Sequence, residues 1–238
     1  MSKIIYVKLI GFGSGLALLI SLFSALGVIF QAAPNTMILI QICAFLLAAG
    51  FFTFYMKKKE RSLVPFGFKQ TRINQVFYLA IGSIVLIQPA ILGLNLSLPL
   101  STLVLIFIQM ALVGYTEEVL FRGIFFYSLR DKQPQTVILF SSIIFGMLHL
   151  ASGLNPNQTL FLVVLQLINA LLLGMVFAVF YYLTENIYLV ISFHALFNIL
   201  ASVSQVGSLE KDLLAVSTLA VLYLIILTSC YYLHAHKK

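Results

Sequence analysis

Charged residues are scarce in this chain. They make up 9% of its 238 residues, whereas hydrophobic residues make up 61%, and a soluble domain typically carries about 25% charged residues. So few polar side chains cannot cover a water-facing surface of this size, which excludes an ordinary soluble domain. The apolar residues come in runs of roughly 17–25, the length of a membrane-spanning helix, and lack the strict alternation of barrel strands. The sequence therefore predicts an all-α, polytopic transmembrane helical bundle.

Cysteine and several common catalytic motifs are also missing or rare. The two cysteines, Cys43 and Cys230, both fall inside apolar runs, which excludes a disulfide framework and indicates small buried hydrophobes. There is no HExxH zinc motif and no GxSxG serine motif. There is also no internal repeat, low-complexity segment or soluble domain. We therefore predict that residues 1–238 form a single integral membrane domain.

The apolar runs predict about eight spans, each long enough to cross a bilayer. Basic residues concentrate at the two ends of the chain and in the loops at 57–72 and 128–132, whereas the loops at 32–35, 95–98 and 153–157 carry none. The positive-inside rule then places both termini in the cytoplasm. The net charge of +7 is a topology signal on this interpretation, so the expected partner is the lipid bilayer and not nucleic acid. The predicted spans lie at roughly 9–31, 35–56, 76–94, 99–127, 136–152, 158–183, 186–204 and 212–233.

The start of the chain allows one alternative. Lys3 and Lys8 precede an apolar stretch, as in a signal peptide. The stretch from Leu9 to Phe30 exceeds the usual apolar region of about 7–15 residues, which favours a retained first span.

Away from the loops and tails, this chain has five ionisable residues, which are costly inside a membrane and usually face the bundle interior. They fall into three short patterns, EEVLFR, FGMLH and HALFN, each on a different span, and the last pattern ends in Asn198. The five residues are Glu117, Glu118, Arg122, His149 and His194.

Helical spacing separates the roles of the two glutamates. Glu118 and Arg122 are four residues apart and share a helix face, where they can pair, and an unpaired buried arginine would be very unfavourable. Glu117 points about 100° away and is left as the freer carboxylate. At about 1.5 Å per residue, Glu117, His149 and His194 all lie near the middle of a core about 30 Å thick, which predicts one polar layer.

This layer is suited to two kinds of water activation. Glu117 with His149 can take a proton from water and return it to a leaving amine, while His194 and Asn198 donate to the oxyanion. Alternatively, Glu117, His149 and His194 can bind Zn²⁺ and leave a fourth position for water. A proton-coupled transporter is one alternative, but it would predict internal repeats, which the sequence lacks. A second alternative is an inert helical bundle, in which the ion pair only holds the helices together.

At these residues the sequence resembles the CPBP family, which comprises type II CAAX prenyl endopeptidases, bacteriocin-processing enzymes and abortive-infection proteins. The family patterns EExxxR, FxxxH and HxxxN occur here in order, within a catalytic core at roughly 100–200. The resemblance implies a membrane endopeptidase in which Glu117 and His149 activate water, His194 and Asn198 hold the oxyanion, and Glu118 and Arg122 hold the site.

The resemblance is compatible with more than one cofactor requirement and more than one class of substrate. Both glutamate-type and zinc-dependent mechanisms have been considered for the family; we expect no obligatory metal here, since no ligand set is fixed by the sequence. The compact chain and short loops are similar to those of bacterial members, which implies a bacterial cell membrane. The expected substrate is a peptide or small membrane protein, in peptide processing or self-immunity, and the alternative is a catalytically silent immunity or binding protein.

Overall fold

The computed structural model describes residues 2–150 and 159–235, and in these ranges it contains helices and no β-strand. Six helical spans are long and apolar enough to cross a membrane, and two further apolar helices, α6 and α8, are shorter. The predicted all-helical membrane bundle is therefore confirmed, whereas the cytoplasmic placement of both termini stays a prediction. The predicted loop at 153–157 and the basic tail, Lys237 and Lys238, lie outside the described residues.

The helices follow the predicted spans closely. The fourth span is one continuous helix that comprises α4, a π-helical segment and α5. In chain order the helices are α1 (Ser2–Ile29), α2 (Pro34–Lys59), α3 (Gln75–Leu92), α4 (Leu100–Glu118), the π-helical segment (Val119–Ile124), α5 (Phe125–Ser128), α6 (Pro134–Leu148), α7 (Leu160–Thr184), α8 (Ile187–Ser202) and α9 (Leu209–Ala235).

Local signals explain most of the helix ends. Pro34 and Pro134 occupy the first turns of α2 and α6, where the missing N–H costs nothing. Asn74, Thr159 and Asn186 cap α3, α7 and α8, each accepting a hydrogen bond from a backbone N–H of the first turn, as favoured N-cap residues do.

Two helices begin earlier than the predicted spans. Helix α1 begins at Ser2 and not at 9, because lysine is a good helix former and the long side chain of Lys8 reaches the hydroxyl of Tyr55 at 3.1 Å. Helix α9 begins at Leu209 and not at 212, since the acidic residues in its first turn complement the helix dipole.

Helix α4 is central, packing between α2 and α8, while α6 packs against α7. Glycines permit the closest approaches. A Cβ atom at Gly114 would lie 2.9 Å from the carbonyl oxygen of Ile191 on α8, and one at Gly146 would lie 3.2 Å from the Cα of Leu171 on α7. Small residues let membrane helices meet in this way, and both contacts lie near the predicted polar layer.

The bundle has two distinguishable ends. We call the end with the loops at 57–72 and 128–132 the basic side, and the end with the loops after α3 and α8 the opposite side. On the opposite side, those two loops are joined by backbone hydrogen bonds from Asn95 to Val203 (2.8 Å) and from Gln205 to Gly93 (3.0 Å). On the basic side, the buried Phe66 packs beneath the π-helical segment.

Candidate active site

The π-helical segment was not predicted by the sequence, which indicated one regular α-helix. All six of its residues, Val119–Ile124, are buried, and it directly follows Glu117 and Glu118. Single π turns inside α-helices occur frequently at functional sites. The segment changes the local helix geometry where the EExxxR pattern lies, yet keeps Arg122 next to Glu118.

Arg122 is fully buried and held on several sides. Its Nη1 donates to Oε1 of Glu118 at 2.8 Å, and its Nη2 donates to the backbone carbonyl of Gly174 on α7 at 2.7 Å. The guanidinium also lies 4.8 Å from the ring centre of Phe145 and 5.3 Å from that of Phe177, within the range of cation–π contacts. Arg122 thus joins the π-helical segment to α6 and α7, and the contacts with Gly174 and Phe177 were not foreseen.

His194 lies between the two glutamates. Its Nδ1 is 2.8 Å from Oε1 of Glu118, and its Nε2 is 3.9 Å from Oε2 of Glu117. Because an ionised carboxylate only accepts hydrogen bonds, Nδ1 carries the proton in this contact, and Nε2 faces Glu117. The ring also stacks on Phe177, with centres 4.8 Å apart and planes 23° from parallel, so its orientation is fixed from two directions.

Four of the predicted residues line one cavity of about 160 Å³. Glu117, His149, His194 and Asn198 come from three different spans and meet there. His149 also contacts the carbonyl of Phe145 through Nδ1 at 3.1 Å, so Nδ1 carries the proton in that contact. The predicted polar layer is thus present in the fold, while the chemical role of each side chain stays a prediction.

Glu118 and Arg122 lie behind this cavity and do not line it. Their side chains have no exposed surface, and their main contacts are with each other, His194 and Gly174. Their position is that of a brace that orients His194. Two amides that also line the cavity, Gln166 and Asn169 on α7, were missed; their signal was polarity within an otherwise apolar span.

A second cavity of about 190 Å³ adjoins the site on the side of α1. It shares Glu117, His149 and Gln166 with the first cavity, so the two meet at the candidate water-activating groups. Its other walls are mostly apolar and come from α1, α2 and α6: Leu16, Ala17, Ile20, Ser21, Phe45 and Leu148. This space is suited to an apolar side chain.

The described residues do not form a ready metal centre. Nowhere in 2–150 and 159–235 do three histidine, cysteine, aspartate or glutamate side chains group so that they could hold a metal ion. The possible zinc set, Glu117, His149 and His194, lines one cavity but does not group closely enough for the tetrahedral site that zinc requires.

Comparison with known proteins supports the resemblance seen in the motifs. Residues 99–200 match the family model described as type II CAAX prenyl endopeptidase Rce1-like, and this range contains all six predicted site residues. No curated protein and no solved structure matches the chain. The match confirms the recognition of the family from its motifs and indicates a membrane-embedded protease of the CAAX type.

Proposed function

We propose, from the match of residues 99–200 to type II CAAX prenyl endopeptidases, that this chain is an intramembrane endopeptidase that uses Glu117 as its general base. The observation that supports this most directly is the shared cavity of Glu117, His149, His194 and Asn198. A carboxylate, two imidazoles and an amide around one space supply the groups that peptide hydrolysis needs: a base for water and donors for the oxyanion.

In the proposed reaction, a water molecule held by Glu117 and His149 attacks the carbonyl carbon of the scissile peptide bond. The new C–O bond forms as the water proton moves to Glu117, and the carbonyl oxygen becomes an oxyanion. The C–N bond then breaks, and the proton on Glu117 passes to the leaving amine. No metal, oxidant or other co-reactant is needed to balance these steps.

The two oxyanion donors are not equivalent. The amide of Asn198 can donate an N–H at any pH. His194 donates a hydrogen bond through Nδ1 to Glu118, so its Nε2 donates to an oxyanion only when the ring is a cationic imidazolium. The brace formed by Glu118 and Arg122 would thus set the orientation of His194.

The substrate that fits best is a membrane-associated peptide or small membrane protein with an apolar residue next to the cleaved bond. The apolar cavity beside α1 adjoins Glu117 and His149, and a volume of about 190 Å³ is sufficient for one large side chain. Peptide processing or self-immunity in a bacterial cell membrane is the physiological role that we propose.

The test compares peptides released from membranes that contain the wild-type protein, Glu117→Gln or Glu210→Gln. Glu117→Gln keeps the size of the side chain but removes the base, and loss of such a group typically costs about 10²–10⁴-fold in rate. Glu210 lies exposed in the first turn of α9, so Glu210→Gln should cleave normally. Normal turnover by folded Glu117→Gln would refute the role of Glu117 as base, whereas a wild-type protein that releases no peptide would support a silent binding or immunity protein.

A further inference from the structure

We infer that the catalytic cavity opens toward the opposite side of the bundle, through a polar crevice between α3, α7 and α9, and that the peptide enters as an extended chain from that side. The crevice has a volume of about 470 Å³. Its polar lining residues are Gln88, Gln166, Asn169 and Asp212, one or more from each of the three helices. The entry of the peptide rests on the proposed function, whereas the opening itself does not.

The crevice and the catalytic cavity adjoin each other. Gln166 and Asn169 line both spaces, and because they are three residues apart they share one face of α7. One edge of this face borders the catalytic cavity beside Glu117 and His194, and the other edge borders the crevice beside α9. An amide offers both a donor and an acceptor, which is the pairing that an extended peptide backbone presents.

Several polar groups of the crevice lack a partner within the described residues and would be stabilised by water or a ligand. Oε1 of Gln88 and Oδ1 of Asn169 are buried and have no hydrogen-bond partner within the described residues. The carboxylate of Asp212 makes no ion pair in the same part of the chain. Such groups are costly against lipid tails, and an unsatisfied buried oxygen costs about 1–3 kcal/mol. A hydrated crevice, or the N–H groups of a bound peptide, would satisfy them.

The basic side, in contrast, is closed above the site. Between the glutamates and that end of the bundle lie the fully buried Arg122 and a layer of phenylalanines with at most 2% exposure. The cavity on the basic side, about 500 Å³, shares no lining residue with the catalytic cavity. The phenylalanines are Phe66, Phe121, Phe145, Phe177 and Phe193.

The lengths of α6 and α8 agree with access from the opposite side. They have 15 and 16 residues, so at about 1.5 Å per residue they span roughly 22–24 Å of a core about 30 Å thick. Helix α6 starts at the basic side and ends next to His149, which caps it. His149 therefore lies at the recessed end of a short helix, and this end faces the opposite side.

The experiment uses single cysteines in the full-length protein with Cys43→Ala and Cys230→Ala. Gln166→Cys and Asp212→Cys place a thiol in the crevice, and a charged, membrane-impermeant methanethiosulfonate is added to either face of the membrane. The thiolate, which forms in water and not in lipid, attacks the reagent, so that a mixed disulfide forms and methanesulfinate leaves. Two positions are used so that the result survives if one variant does not fold.

Three control positions define the sides and the depth. Lys58→Cys reports the basic side, Ser97→Cys reports the opposite side, and Ile168→Cys lies on the lipid-facing surface of α7, where the native residue is 46% exposed. We expect Gln166→Cys to be fully labelled from the Ser97 side and Ile168→Cys to remain unlabelled. Labelling of Gln166→Cys from the Lys58 side alone, or no labelling there and at position 212, would overturn the opening.

The entry of the peptide has a separate readout. A bulky thiol-reactive reagent added from the side that Ser97→Cys reports should abolish proteolysis by Gln166→Cys. It should leave proteolysis by Ile168→Cys unchanged. Full activity of labelled Gln166→Cys would overturn this route. Labelling requires no turnover, so a protein that labels as expected but never cleaves would contradict the proposed function and leave the opening intact.

Discussion

Replacing Arg122 by methionine should destabilise the protein strongly, although methionine is apolar and of similar length. The substitution removes the 2.8 Å ion pair to Glu118 and the 2.7 Å hydrogen bond to the carbonyl of Gly174. Glu118 would remain with no exposed surface and with His194 as its remaining hydrogen-bond partner among the described residues. Removing one member of a buried ion pair costs about 3–5 kcal/mol. At about 2–4 °C per kcal/mol for a chain of this size, the melting temperature should fall by roughly 6–20 °C.

The assay is the fraction of protein that remains folded after heating in detergent, measured by gel filtration. Arg130→Met is a suitable control, because Arg130 is exposed in the loop after α5 and its guanidinium stacks on Tyr127, and it should melt like the wild type. The double variant Glu118→Gln/Arg122→Met removes both charges together. Since no uncompensated charge remains, it should be more stable than Arg122→Met alone.

The double variant also distinguishes the structural role of Glu118 and Arg122 from the role of Glu117 as general base. A glutamine at position 118 can still accept a hydrogen bond from Nδ1 of His194, but it is neutral and holds the ring less firmly than a carboxylate does. We therefore expect a folded protein with reduced turnover. The reasoning would be refuted if Arg122→Met melted like the wild type, or if the double variant were no more stable than that single variant.

Three further results are expected. Gly114→Ala should lower both the melting temperature and the activity, because its Cβ would lie 2.9 Å from the carbonyl oxygen of Ile191 and force α4 and α8 apart, whereas Gly82→Ala, which faces open space, should do neither. Asn186→Ala should cost about 0.5–2 kcal/mol in thermal unfolding by removing the cap to Leu189, and Asn186→Asp should restore it. A strong zinc chelator should leave proteolysis unchanged, since no three ligand side chains converge among the described residues; loss of activity that zinc restores would refute this.

Much of the fold could be predicted because its determinants are local in the sequence. Apolar runs of the length of a span, proline and asparagine at helix starts, and basic loops on alternating sides all act within a few residues. The pairing of Glu118 with Arg122 follows from a spacing of four, and the structure places them 2.8 Å apart. That Glu117, His149, His194 and Asn198 line one cavity followed from their similar depth in neighbouring spans.

The remaining features depend on contacts between segments that are distant in the chain. The carbonyl of Gly174 becomes a partner of Arg122 only because α7 crosses behind the π-helical segment. The bond from His194 to Glu118 joins residues 76 positions apart. Neither periodicity nor composition indicates which nitrogen of a histidine will meet which carboxylate, and the π turn itself depends on the packing of its six buried residues.

The bond between His194 and Glu118 couples stability to chemistry in this site. Arg122 pairs with the fully buried Glu118, Glu118 accepts a hydrogen bond from Nδ1 of His194, and Nε2 of His194 is thereby directed toward Glu117 at 3.9 Å. An arginine that contacts no substrate thus controls which nitrogen of the histidine faces the reacting atoms, and this explains why a costly buried guanidinium belongs to the site as much as the glutamate that lines the cavity.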